Sequence, residues 1–562
     1  GEVRDVLRTL KREPTPEGRR AAALDRIQKL SRQLDRGLES GEVVLEGADP
    51  AQLLKLKEAR IRELEDKLER GQKTASALVP RSAMDGVLEE IILQIQKSYV
   101  DEEKTGRDKL ILNAIRGTVR GLDEFSSFMD ADDTRSFNES MAGEYEGIGA
   151  QLNKPGEGLP LEIVRPIYGG PAYKAGILTG DRVVEVDGTR TEDVSLDDIV
   201  KKIKGQPGST VALKIFRRGW TEPRTFTIER QKVELPSTYW ELLPGKIGYL
   251  HLTQFGNKST DEFLGALDEL EKQDMEALVI DLRNNPGGLL DAAVKIVDEF
   301  ISDDTLPIVT QKGRRKGRDD GEVATHARPD ARPNYPIAVL INQRSASASE
   351  IVSGALKDFG RAILVGKKTY GKGSVQRLIP LSSESKKALG GDAQLRLTVQ
   401  YYFLPQGRCI HTIRDENGVV VEEGGVLPDI EVAEEKIPTW RFEERERLRG
   451  QSAILDYVET NWEAIKDLFV DGDGRDSGRY PRLAELKEAL DSSASVDDVR
   501  SVVRYHVRRR LEDQRGKEFA CDVQEDVQLG RAILELLKKL GGRPEDYPRY
   551  ASLVPKAAEV AK

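Results

Sequence analysis

Residues 335–359 read Tyr335-Pro-Ile-Ala-Val-Leu-Ile-Asn-Gln-Arg-Ser-Ala-Ser-Ala-Ser-Glu-Ile-Val-Ser-Gly-Ala-Leu-Lys-Asp-Phe359: an apolar run, a serine cluster and a second apolar run in direct succession. The run from Tyr335 to Ile341 is short, partly β-branched and has a proline near its start, which predicts a buried strand. From Glu350 to Phe359 the apolar residues recur at helical spacing and stop at Gly360, which predicts a helix. A serine of the cluster then sits at a strand-to-helix junction. There the first backbone N–H groups of the helix lack partners and can stabilise a developing oxyanion.

Downstream, Lys367-Lys-Thr-Tyr-Gly-Lys-Gly-Ser-Val-Gln376 places Lys372 between two glycines, Gly371 and Gly373, that let the backbone pass close to other elements. Serine needs a base to become a nucleophile. Lysine can serve only when neutral, which requires burial or a nearby positive charge. The two segments therefore offer a nucleophile and a base without histidine. Gln376, four residues on, can orient the amine through its carbonyl oxygen. On a straight strand that spacing is about 13 Å, so contact requires a bend or a helical turn after the glycine. Residue type alone does not choose among Ser345, Ser347 and Ser349, nor between Lys372 and its neighbours Lys367 and Lys368. Upstream, Ala277-Leu-Val-Ile-Asp-Leu282 reads as another buried strand. The Asn-Asn-Pro-Gly-Gly run ending at Gly288 can present an N–H to a ligand with no Cβ in the way.

The order of motifs over residues 85–432 resembles the carboxy-terminal processing proteases, or tail-specific proteases, of the serine/lysine peptidase class. The resemblance is carried by Gly121-Leu-Asp-Glu-Phe-Ser-Ser-Phe-Met129, Gly143-Glu-Tyr-Glu-Gly-Ile-Gly-Ala150, Gly180-Asp-Arg-Val-Val-Glu-Val-Asp-Gly188, Asp281-Leu-Arg-Asn-Asn-Pro-Gly-Gly-Leu-Leu290, the serine cluster, Thr369-Tyr-Gly-Lys-Gly373 and Gly425-Val-Leu-Pro-Asp429. It implies Ser347 as nucleophile, Lys372 as base and Gln376 as the lysine's partner, with an oxyanion hole from Ala348 and the Gly287-Gly288 turn. It also implies that residues 144–232 form a PDZ domain. In that domain Gly147, Ile148, Gly149 and Ala150 form a carboxylate-binding loop, and Leu196, Ile199, Val200 and Ile203 have the spacing of a groove-lining helix. In relatives a basic residue in an Ile-basic-Gly segment is linked to coupling between the PDZ domain and the active site. The matching residue here is Lys204, read as an exposed surface lysine, because lysine lacks the planar fork of arginine.

A chain of 562 residues is long enough for three or four domains. Its net charge of −10 argues against nonspecific nucleic-acid binding. The basic run Lys312-Gly-Arg-Arg-Lys-Gly-Arg318 is followed by Asp319 and Asp320 and reads as a solvated hairpin loop. The four histidines are scattered singly, so no metal is expected, and the mechanism that the resemblance implies needs no cofactor. Cys409 and Cys521 are the only cysteines, and sequence does not say whether they pair. No run of eighteen apolar residues suggests a transmembrane segment. The missing initiator methionine admits a removed targeting segment. The family resemblance implies the cell envelope or periplasm of a bacterium.

Residues 1–80 are charged, with an apolar stripe at Leu54, Ile61, Leu64 and Leu68 that reads as a solvated or docking helix, a homo-oligomer contact being the alternative. Beyond residue 436 the pattern is helical again. Asp471-Gly-Asp-Gly-Arg-Asp476 starts like a calcium loop, but the twelfth position is Arg482, so it reads as a turn. The expected fold is therefore multidomain α/β. It has a helical extension (1–80), a helical lead-in (81–143), a PDZ domain (144–232), a strand-rich serine protease core (233–435) and a helical C-terminal region (436–562). The expected function is a serine endopeptidase that binds exposed C-terminal tails of unfolded proteins through the PDZ domain and cleaves within them. A noncatalytic PDZ adaptor on the same fold, or an enzyme acting on acyl thioesters, would be the alternatives.

Overall fold

The strand and helix expected on either side of the serine cluster form as Ile337–Ile341 and Ala348–Asp358 in a computed structural model, which describes residues 83–553 apart from 315–320, 330, 416 and 434–436. The stripe from Leu54 to Leu68 and part of the basic run 312–318 lie outside the described residues. Residues up to 112 form one unit, to which the helix Ala83–Ser98 and the first part of the helix Arg107–Arg120 belong; residues 113–562 form the other.

The second unit is built on a six-stranded sheet in the order Thr238–Leu243, Ile247–Leu252, Ala277–Asp281, Ile337–Ile341, Ala362–Gly366 and Ile430–Glu431. The first pair is antiparallel and the rest are parallel. Ala277–Asp281 and Ile337–Ile341 are buried at every position, which is why they read as unbroken apolar runs. Side chains alternate between two faces. Leu278, Ile280, Val339 and Ile341 pack with the helices Ser259–Lys272, Leu290–Asp298 and Ala348–Asp358. Val279, Ala338 and Leu340 pack with Leu529, Ile533 and Leu536 of the helix Val527–Leu540. The far C-terminal helix is thus part of the core of this sheet and not an appendage to it. A second sheet lies beside the first. In it Gln394–Phe403 pairs along one edge with Ser374–Pro380 and along the other with Ser127–Met129 and Pro307–Gly313.

A smaller sheet runs Ala150–Asn153, Leu161–Pro166, Arg182–Val186, Thr210–Phe216 and Arg224–Glu229, and encloses its own core with the helix Leu196–Ile203. A two-stranded ribbon, Glu144–Gly147 with Gln231–Glu234, joins it to the rest. The C-terminal helices, among them Thr439–Arg449 and Val496–Arg515, bury a further apolar cluster. The Asp471–Asp476 segment is a turn whose Asp473 is fully buried. Its carboxylate accepts from Tyr480 Oη at 2.8 Å and from Arg500 Nη1 at 2.5 Å. Cys409 and Cys521 are both free thiols. Among the described residues no helix is long and apolar enough to cross a membrane, and no His/Cys/Asp/Glu group could hold a metal ion.

Candidate active site

Ser347 occupies the residue before the helix Ala348–Asp358, with φ 55° and ψ −115°. A positive φ is uncommon for a residue with a side chain, and it turns the serine out of the strand-to-helix path. The rival serines are otherwise engaged. Ser345 Oγ donates to Leu282 O at 2.8 Å, and Ser349 Oγ donates to Asn285 O at 2.9 Å, both fully buried. Likewise Lys367 and Lys368 point to surface carboxylates, Glu431 at 2.7 Å and Glu423 at 2.6 Å.

The residue that gathers the site is Glu350, which sequence reading takes only as part of the helix. Its carboxylate is fully buried and accepts the N–H of Ser347, Gly371 and Lys372, each at 2.8 Å, and the hydroxyl of Thr369 at 2.6 Å. Burial pushes its pKa up, against the downward pull of those four donors. Tyr402 makes a second bridge, because its hydroxyl lies within hydrogen-bond reach of Ser347 O at 3.1 Å and of Lys372 O and shares its one proton between them. Candidate nucleophile and candidate base are thus tied together through their backbones.

Two amides, those of Ala348 and Gly288, are turned away from anchored carbonyls, for a reason that peptide planarity supplies. In a trans peptide the C=O and the following N–H point in opposite directions. Ser347 O is held by the N–H of Glu350 (2.8 Å) and of Ile351 (3.0 Å) and by Tyr402 Oη, so Ala348 N–H faces the other way. Gly287 O is held by Phe255 N–H at 3.0 Å, which turns Gly288 N–H outward in the same manner. Neither Ala348 N–H nor Gly288 N–H has an acceptor among the described residues. Gly287 differs from the expectation set for it, since its own N–H is taken up by Asn285 Oδ1 at 2.9 Å. Its place is steric: a Cβ there would stand 2.7 Å from Ser347 Cβ and 3.0 Å from Ala348 N.

Lys372 Nζ lies 5.0 Å from the centre of the Phe125 ring, and no hydrogen bond joins it to Ser347 or Gln376 among the described residues. Burial, and after it the Arg396 guanidinium, hold its pKa below the usual lysine value, while Glu350, Glu124 and Asp123 oppose them. The contact that would have required a bend after the glycine does not form, and the irregularity near Gln376 is a β-bulge on the partner strand Gln394–Phe403. Val375 faces Gln400 and Gln376 faces Thr398, so Val399 is the extra residue. Gln376 Nε2 donates to Ser374 Oγ at 2.9 Å and to Thr398 Oγ1 at 3.2 Å, which leaves its carbonyl oxygen available. Both glycines beside the lysine are close-packed: a Cβ on Gly371 would meet Thr412 Oγ1 at 2.1 Å, and one on Gly373 would meet His411 N at 2.6 Å.

In the smaller domain the same logic of anchored carbonyls recurs. Ile148 O accepts from Ala172 N at 2.7 Å and Gly149 O from Ile167 N at 2.9 Å, which directs the N–H of Gly149 and Ala150 away from those partners. The Tyr145 hydroxyl faces these two N–H groups. Ala150–Asn153 is an edge strand. With Leu196, Val200 and Ile203 it borders a cavity of about 1240 Å³. Lys204 is exposed, pairs with Glu139 at 3.4 Å and lies over the Tyr145 ring at 5.5 Å.

Residues 246–432 match Peptidase family S41, and residues 162–217 match the PDZ domain. A carboxy-terminal-processing protease of Bartonella bacilliformis is 34% identical over 365 residues, covering 64% of this chain and 77% of that protein. The carboxy-terminal processing protease CtpB of Bacillus subtilis is 33% identical over 361 residues, 62% of this chain and 72% of that protein. The carboxyl-terminal-processing protease of Synechocystis is 34% identical over 350 residues, 61% and 75%. Identity at this level over more than two thirds of each relative's length places the chain: it belongs to the carboxy-terminal processing proteases, serine-type endopeptidases of peptidase family S41, and it carries a PDZ domain.

Proposed function

We propose that this chain cleaves within the C-terminal tails of unfolded proteins by a Ser347/Lys372 dyad, after capturing the tail in its PDZ groove. The observation that carries the reading is the shared carboxylate of Glu350, which binds the backbone N–H of both Ser347 and Lys372. Ser347 Oγ attacks the scissile carbonyl while the neutral Lys372 amine takes its proton, later returned to the leaving amine. The oxyanion that forms is received by the N–H groups of Ala348 and Gly288. Gln376, held through its amide nitrogen, offers its carbonyl oxygen to orient the amine once the amine leaves the Phe125 ring. Water then attacks the acyl-serine with the same lysine as base, and the enzyme is restored.

The tail adds as a strand to Ala150–Asn153, its carboxylate taking the place of the Tyr145 hydroxyl on the N–H groups of Gly149 and Ala150 and its apolar side chains on Leu196, Val200 and Ile203. The bacterial cell envelope is the place of work that the family resemblance favours. The parent chain and its Ser347→Ala and Lys372→Ala variants, incubated with an unfolded protein ending in small apolar residues, provide the test by mass spectrometry of fragments. The parent is expected to cut within the tail and both variants to lose cleavage. Cutting by Ser347→Ala would remove Ser347 as nucleophile, and binding without any cutting by the parent would favour an adaptor.

A further inference from the structure

The cavity over the PDZ groove is not bounded by the PDZ domain alone. Its far side is formed by Trp240 of the core and by Lys517, Glu518 and Ala520, which follow the helix Val496–Arg515. Gly516 ends that helix in a left-handed conformation at φ 62°, and a Cβ there would stand 3.1 Å from Tyr173 Oη. Glycine thus lets the segment close against the smaller domain. The closure is fastened at two points. Glu518 pairs with Arg165, which lies opposite Gln151 of the edge strand, and Asp513 accepts from Tyr168 Oη at 2.9 Å and Thr179 Oγ1 at 3.2 Å.

A peptide laid along an edge strand turns alternate side chains to opposite sides. On an isolated domain one set enters the groove against the helix and the other meets water. Here a wall stands where water would be. The charges on that wall are unequal: Glu518 is engaged by Arg165, whereas Lys517 has no carboxylate partner among the described residues. Lys517 Nζ rests 4.8 Å from the centre of the Trp240 ring and remains exposed. The wall therefore offers an uncompensated positive charge to the second set of tail side chains.

We infer that the tail site is composite, and that Lys517 selects tails carrying an acidic side chain among the alternate positions that face away from the groove helix. The inference rests on the reading of the groove as a tail site. It gives the segment after Arg515, beyond the residues matched to the peptidase family, a part in choosing substrates.

The test uses the full chain with Ser347→Ala and short fluorescent peptides that share a small apolar C-terminus and differ only in Glu, Gln or Lys at the penultimate and fourth-last positions. Fluorescence anisotropy is expected to give a dissociation constant about threefold to fivefold lower for the Glu peptide than for the Lys peptide, the scale of a partly exposed ion pair. The gap should shrink as salt is raised. Lys517→Ala should abolish the gap and Lys517→Glu should reverse it, with the melting temperature unchanged. Equal binding of all three peptides, or a preference indifferent to Lys517→Glu, would overturn the composite site and leave tail binding standing. If no peptide binds the parent, the groove reading and this inference fall together.

Discussion

Ser347 holds a positive φ because both of its peptide groups are fastened, the N–H by Glu350 and the carbonyl by three donors. Such a conformation costs on the order of 1–3 kcal/mol and persists only when its surroundings over-determine it. The candidate serine and lysine stood out in the sequence by residue type, and resemblance was what singled out Ser347 and Lys372 among their neighbours. Glu350 was in plain view and still unread, since a glutamate in the first turn of a helix is ordinarily a capping residue. Its burial depends on the Thr369–Lys372 loop folding over it, a tertiary event 19 to 22 residues away. A pH dependence belongs at this scale. Lysine accepts a proton only when neutral, so kcat/KM should rise with pH through the Lys372 pKa, which burial holds below the ordinary lysine value. Arg396→Gln removes a positive charge that helps to hold that pKa down. Its acid limb should therefore move to higher pH, with less activity near neutrality, and a pH–rate profile checks this. An unmoved limb would mean that burial alone tunes the amine.

The strand Gln394–Phe403 is the element on which the site rests. Its bulge at Val399 sets Thr398 against Gln376, and its end brings Tyr402 beneath Ser347 and Lys372. The parallel strands of the main sheet could be read from their unbroken apolar runs, because burial on both faces leaves that mark. Nothing comparable distinguishes Tyr402 from Tyr401 before it, since which of two adjacent tyrosines faces inward depends on register and bulge. Tyr402→Phe keeps the ring and removes the bridge between the two carbonyls. The expected result is a fall in kcat of about tenfold or more, below the loss expected from deleting an oxyanion donor outright, with KM little changed. The rate at which a fluorophosphonate labels Ser347 should fall in parallel. A lowered melting temperature with kcat intact would reduce the tyrosine to a packing residue.

At the scale of the whole chain, the C-terminal region touches both the segment before the candidate oxyanion turn and the smaller domain. Arg283, two residues beyond Asp281 and just before the Asn-Asn-Pro-Gly-Gly turn, is paired with Asp526 at 2.5 Å, and Asp526 caps the helix Val527–Leu540. Asp513 meanwhile holds the smaller domain through Tyr168 and Thr179. Sequence disclosed helices here but no role, because single polar contacts between distant segments leave no period or motif. Asp513→Ala should weaken that docking by about 1–3 kcal/mol, the worth of hydrogen bonds to a charged group. Hydrogen exchange in Glu144–Gly147 and Gln231–Glu234 is expected to quicken at least several-fold while exchange in Ile337–Ile341 stays slow. Unaltered exchange in the ribbon would show that the domain is held elsewhere. That ribbon has a bearing on ancestry as well. Gly147 and Gln231 are paired across it, so the chain departs for the smaller domain and comes back at neighbouring points. An intervening stretch with adjoining ends can be spliced out and the gap sealed by a tight turn, leaving a closed hairpin. Lineages could then acquire, exchange or shed the PDZ cassette by recombination without rebuilding the peptidase sheet.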